Sequence, residues 1–217
     1  MKEPPAPSRD CPLCPRLVAY REEYRALHPD WFNAPVPSFG PLAARLLVVG
    51  QAPGVNGANR TGRPFTGDVA GRLLYPALVR FGFAQGRFLE RPDDGLTLTD
   101  CRVTNAVRCA PPQHKLENSD KLHCLPFLAA EIAAMPRLRV LLALGVKAHE
   151  SSLQSLKLKP RAFPFKHGAL HHLPGGLVLA DSFHTSQYNV NTGRISQAMF
   201  DDVIARIKSA LAEPICS

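Results

Sequence analysis

Two stretches of this chain gather side chains able to bind and cleave something small. The first, GQAPGVNGANRTGRPFTGD from Gly50 to Asp68, follows directly on the apolar run RLLVVG. A strand that empties into a glycine-rich loop brings backbone N–H groups close to a small or anionic ligand. The loop has neither G-x-G-x-x-G nor G-x-x-x-x-G-K, so it is not a phosphate cradle and implies no nucleotide cofactor. It offers Arg60 and Arg63 as cations, Asn56 and Asn59 as amides, Phe65 as an aromatic face, and Asp68 as its single carboxylate. The second stretch, HTSQYNVNTGR, opens on His184, a group that changes charge near neutral pH, and ends on Arg194. Between the two, Asn105 in CRVTNAV supplies both a donor and an acceptor.

The cysteines form a second constellation. Cys11 and Cys14 make a C-x2-C pair bracketed by prolines, and Cys109 and Cys124 enclose the polar segment APPQHKLENSDKLH. Four thiolates from two distant pairs suit either a tetrahedral zinc or an iron–sulfur cluster, and spacing does not separate the two. Cys101 and Cys216 stand apart and read as bystanders. The start of the chain, MKEPPAPSRDCPLC, has no apolar leader, so the thiols are expected to be ligands or buried groups in a cytoplasmic protein, not disulfides.

The elements that must position these groups are legible as alternating patterns. Arg45–Gly50, Cys101–Val107, Leu138–Gly145 and Gly176–Phe183 read as short strands buried on both faces. Helical patterns lie between and after them at Val69–Phe83, Asp120–Met135, Val146–Leu153 and Ile195–Leu211. Asp68 suits the N-cap of the first helix, and Pro76 should kink or split it. The expectation is one domain over residues 1–217, irregular over 1–10. Its fold class is α/β, a three-layer α/β/α sandwich on a mainly parallel four-stranded sheet. In such sheets ligands bind beyond the carboxyl ends of the strands. One rim therefore gathers the Gly50–Asp68 loop, Thr104–Asn105, Gly145 and the DSFHTSQYN segment. A net charge of +8 favours a polyanionic partner, nucleic acid above all, and no apolar run is long enough to predict a membrane span.

Taken together, these motifs resemble the uracil-DNA glycosylase superfamily, in its iron–sulfur branch, and family 5 (type b) most of all. That family's first motif, G-x-A-P-x-x-x-G-x-N-R-T-G-R-x-F-T-G-D, matches Gly50 to Asp68, and its H-P-S-x-x-N-x-N-T-G-R matches His184 to Arg194. TNAVRC (Thr104–Cys109) and the leading C-x2-C fit as well, so the likeness runs from Cys11 to about Arg194. It implies a structural 4Fe–4S cluster on Cys11, Cys14, Cys109 and Cys124. It also implies excision of uracil, and of other deaminated bases such as hypoxanthine or xanthine, from DNA, leaving an abasic site. The expected working form is a monomer on DNA.

On that likeness each residue acquires an expected role. A base within a duplex must be flipped into a pocket before its glycosidic bond can be reached. Phe65 would stack on the flipped ring, and Asn105 would read its edge. His184, with the backbone of Gln51, Ala52, Pro53 and Gly54, would stabilise charge on the departing base. Asp68 or Asn56 would hold the water, because Ala52 occupies the place where several related families carry an acid. Ser186, Gln187 and Tyr188 would reach into the DNA, with Tyr188 as the wedge filling the gap. Arg60, Arg63 and Arg194 would contact phosphates. The chain departs from the family pattern at Gln51, Asn56 and Thr185, the last replacing a proline and expected to loosen its loop. Two rivals follow: a DNA-lesion binding protein that has lost hydrolysis, and a small-molecule nucleotide enzyme, which the missing phosphate motifs count against.

Overall fold

A computed structural model of the chain describes residues 2–213, and Cys216 lies outside them. In chain order the elements are α1 (Pro15–Leu27), β1 (Leu46–Gly50), α2 (Ala58–Thr61), α3 (Val69–Arg80), β2 (Ala84–Gln85), β3 (Thr97–Leu98) and β4 (Cys101–Asn105). There follow α4 (Asn118–Ala133), β5 (Val140–Leu144), α5 (Val146–Ser155), β6 (Leu170–His172), β7 (Val178–Ser182), α6 (Gln187–Asn191) and α7 (Gln197–Ala212). The main sheet runs β4-β1-β5-β7-β6, parallel except for the antiparallel edge strand β6, while β2 and β3 form a separate hairpin. The sheet thus has five strands where the apolar runs predicted four. LHH in β6 is polar and only partly buried, so it lacks the signal that the inner strands carry.

Alternation along each inner strand divides the core into two layers. Leu46, Val48, Val103, Leu142 and Ala180 pack with Leu74 and Leu78 of α3 and Phe200 and Ile204 of α7. Leu47, Val49, Leu141, Ala143 and Leu179 pack on the other face with Leu128 of α4 and Ala148 and Leu153 of α5. Successive strand side chains point to opposite faces, so a strand covered on both sides must be apolar throughout. This arrangement is the α/β/α sandwich. Among the described residues no helix is long and apolar enough to cross a membrane.

Pro76 does not split its helix: α3 runs unbroken through it. At Gly71, in the first turn of α3, the helix meets the Gly50–Asp68 loop, and a Cβ there would lie 1.9 Å from the Phe65 carbonyl oxygen. Alanine in place of glycine favours a helix by about 1 kcal/mol, but overpacking against a main-chain atom costs about 1–3 kcal/mol. Gly71→Ala is therefore expected to lower the urea unfolding midpoint, and an unchanged or higher midpoint would contradict this packing.

Candidate active site

The site is built around Gly50, the last residue of β1. A Cβ on Gly50 would lie 2.3 Å from the Asn105 side-chain oxygen and 2.4 Å from Phe65 Cζ. Only glycine lets those two side chains meet over the strand end. Asn105 ends β4 directly beside it, in register. Phe65 sits at φ 53°, a backbone conformation that costs a non-glycine residue on the order of 1–3 kcal/mol. It is held there by its neighbours. The Tyr75 hydroxyl donates to the Pro64 carbonyl at 2.5 Å, and Thr61 Oγ1 donates to the Thr66 carbonyl at 3.1 Å.

Arg63 does the most to hold this turn, and its expected role as a phosphate contact is corrected. It is 5% exposed, and its guanidinium forms a fork with both oxygens of Asp94 at 2.8 and 2.7 Å. Its Nε donates to Thr66 Oγ1 at 2.7 Å, and the group lies over the rings of Phe39, Tyr75 and Phe88. Turned inward and engaged this way, the guanidinium is not presented at the surface where a phosphate would lie. Arg60, three residues earlier, is exposed.

Asp68 has the extended backbone of an N-cap, yet its carboxylate makes no capping hydrogen bond. Instead it is turned back into the loop. A Cβ on Gly54 would lie 2.9 Å from its Oδ2, and one on Gly57 only 2.3 Å. Burial raises its pKa above the usual carboxylate value. Asn56, the other candidate for holding a water, is exposed.

His184 completes the rim from the β7 side. Its ring centroid is 6.3 Å from that of Phe65. Gly145, at φ 92° after β5, makes room beneath it: a Cβ there would lie 3.3 Å from His184 Cβ. Burial pushes the imidazole down to about 4, so it is neutral at physiological pH. Thr185, expected to loosen the loop, is fully buried. Seven buried side-chain polar atoms lack a hydrogen-bond partner among the described residues, and four of them belong to Asp68, Asn105, His184 and Thr185. Buried polar groups are nearly always paired. Such a concentration on one rim marks groups kept free for a ligand.

The backbone of the loop adds donors. Gly50 and Gln51 carbonyls accept from Ala106 and Val107, while the N–H groups of Gln51, Ala52 and Gly54 meet no acceptor among the described residues. Pro53 is buried between them. Beyond His184, Ser186 caps α6 by accepting the Asn189 N–H at 3.5 Å. Gln187 is exposed, and Tyr188 is 73% exposed, a large apolar surface standing out beside the site. Arg194 is exposed and rests over the Phe183 ring at 4.5 Å.

Cys11, Cys14, Cys109 and Cys124 line one recess, together with Arg21 and His123. Burial, reinforced by the charge of neighbouring thiols, pushes Cys14 up to about 11 and Cys109 up to about 12. Cys101 is fully buried in β4, away from them. Val107 and Ala52 pack against this recess, which joins it to the loop. Sequence reasoning missed Asp94, for which the polar stretch ERPDDG gave no sign. It also missed the task of Gly57, for which the G-x-x-G spacing of the loop was the available signal.

An α/β/α domain with unpaired polar groups gathered over its strand ends has the frame of a pocket enzyme of doubly wound type. The family model for the uracil DNA glycosylase superfamily matches residues 37–208. The chain is 45% identical to the type-5 uracil-DNA glycosylase of Thermus thermophilus, over 91% of this chain and 92% of that one. It is 38% identical to that of Pyrobaculum aerophilum, over 91% and 87%. A type-4 uracil-DNA glycosylase of the same archaeon is 34% identical over 64% of this chain and 57% of its own. The chain belongs to the uracil DNA glycosylase superfamily, and within it to the type-5 family.

An NMR titration is expected to find the His184 imidazole changing charge near pH 4. The sign for stability follows from that depressed value. An unfolded histidine takes up its proton at about 6.5. The folded protein therefore loses stability as pH falls from there towards 4. A His184 midpoint at or above the unfolded value would refute the buried, neutral ring.

Proposed function

We propose that the chain hydrolyses the N-glycosidic bond of uracil in DNA, releasing the base and leaving an abasic site. The observation that carries this reading is the meeting of Asn105 and Phe65 over Gly50, with the unpaired Asn105 oxygen and His184 on the same rim. A buried amide oxygen without a partner needs a donor. The N3–H of a flipped uracil is one, whereas cytosine has a bare N3 and offers none there. Hypoxanthine and xanthine carry an N–H beside a carbonyl and present the same edge, so they are further substrates in this reading. Phe65 forms the wall against which the ring rests.

In the reaction the bond between C1′ and the base nitrogen breaks, and its electron pair leaves on the base. A neutral His184 donates a hydrogen bond to the carbonyl oxygen where that charge collects, with the loop N–H groups alongside. Water adds to C1′ and gives up a proton. Asp68 suits this step better than Asn56, because its carboxylate is buried, unpaired at Oδ1 and raised in pKa, while Asn56 is exposed. Tyr188 fills the space the base vacates, and Arg60 and Arg194 meet phosphates. A lesion-binding protein without hydrolysis is the reading to exclude.

Single-turnover assays on a uracil-containing strand test the assignment. His184→Ala is expected to lose more rate than Asp68→Asn, each by roughly 10²- to 10³-fold or more from lost charge stabilisation or proton transfer, and Asn56→Ala little. The reverse order for the first two would make Asp68 the leading group. Binding without any base release at enzyme excess would leave only the lesion-binding reading.

The four cysteines are proposed to hold a 4Fe–4S cluster, whose contribution is structural. The four thiols line one recess, and thiols such as Cys14 and Cys109, which burial keeps from ionising alone, are what a bound metal group stabilises. Purified protein is expected to be brown, with about four irons per chain by metal analysis. A colourless protein carrying one zinc would overturn the assignment.

A further inference from the structure

His184 makes no side-chain hydrogen bond among the described residues, so the direction of its ring is set by its main chain. That main chain is held from the segment before β6. Antiparallel pairing sets Ala180 opposite Leu170. The ladder then continues past the strand, as the Asp181 N–H donates to the Ala169 carbonyl at 3.0 Å and the Gly168 N–H to the Asp181 carbonyl at 2.8 Å. The buried Asp181 carboxylate is clamped by His149, His171 and the Lys166 N–H at 2.7, 3.0 and 3.1 Å. These contacts brace the end of β7 from within.

At residue 183 a side chain takes over from the backbone. The Phe183 N–H donates to His167 Nδ1 at 3.1 Å, and the two rings stack with centroids 4.8 Å and planes 6° apart. A ring nitrogen that accepts carries no proton, so His167 is the neutral Nε2–H tautomer. Asp202 and Arg206 of α7 are the charged groups that act on it. On the far side of His184, Asn189 Nδ2 donates to the His184 carbonyl at 2.8 Å. The loop is thus tied at both ends, and the ring between is untied.

We propose that His167 is a positioning residue for His184: its Nδ1 extends the β6–β7 pairing to Phe183 and so fixes how the next side chain leaves the chain. This rests on the reading of His184 as the group that stabilises the departing base. A small misplacement of such a group is enough to slow chemistry without weakening binding.

The test compares single-turnover excision with affinity for a strand carrying a non-hydrolysable 2′-fluoro-deoxyuridine. His167→Ala, and His167→Phe, which keeps the stack but not the acceptor, are expected to slow excision roughly ten- to a hundredfold with affinity unchanged. His167→Asn, whose Oδ1 can accept the same N–H, should recover most of the rate. Thermal melts identify any variant that is slow because it has unfolded. Full rate in folded His167→Ala, or no recovery in folded His167→Asn, overturns the proposal. His184→Ala run alongside separates the two readings. If it too keeps full rate, the role of His184 fails, and the positioning role with it. A slow His184→Ala beside a fast His167→Ala removes the positioning role alone.

Discussion

The missing side chain at Gly50 is the constraint on which the site depends. β1 is flanked by β4 and β5, so its last residue sits where the rim is most crowded. Asn105 arrives from one neighbour and Phe65 from the loop, and both occupy space that any other residue at position 50 would fill. The strained φ of Phe65 is the second half of the same fit, because the turn must bend back over the strand it has just left. Breaking a buried ion pair by removing one partner costs about 3–5 kcal/mol. The Arg63–Asp94 fork is therefore a strong lock on that bend, whatever its net contribution to stability.

The same rim carries a standing cost. An unpaired buried polar group costs about 1–3 kcal/mol, and four such atoms lie here. The two continuous apolar layers on either face of the sheet offset this. Burial also acts in opposite senses on the two ionisable groups of the rim. It strips His184 of its proton and makes Asp68 hold one more firmly. One physical cause yields a neutral imidazole and a more basic carboxylate, the two states that the proposed reaction calls on.

The inner strands and the long helices were legible because burial on both faces demands uninterrupted apolar runs. Their ends then fixed the rim, and with it the neighbourhood of Asn105, Gly145 and His184. α1 was illegible for the converse reason: it buries little besides Leu17 and Arg21, so it shows no apolar face. Arg60 and Arg63 show where residue type stops being informative. Both are arginines of one motif, yet Arg63 is buried because Asp94 reaches it from a loop 31 residues away. Local pattern carries no trace of such a partner. Asp68 is similar: its sequence position fits a helix cap, and only the space left by Gly54 and Gly57 explains why its carboxylate turns inward.

The cysteine recess and the rim are one mechanical unit. Asn105 is followed at once by Ala106 and Val107, whose N–H groups hold the carbonyls of Gly50 and Gln51, and then by Cys109. Val107 is fully buried against Cys14 and Cys124, and Ala52 packs on the same cluster. A group bound by the four thiols would therefore fix residues 107–109, and through two hydrogen bonds the loop whose Gln51, Ala52 and Gly54 N–H groups meet no acceptor among the described residues. Its influence on the site would be carried by rigidity over a few residues, with no need of electron transfer.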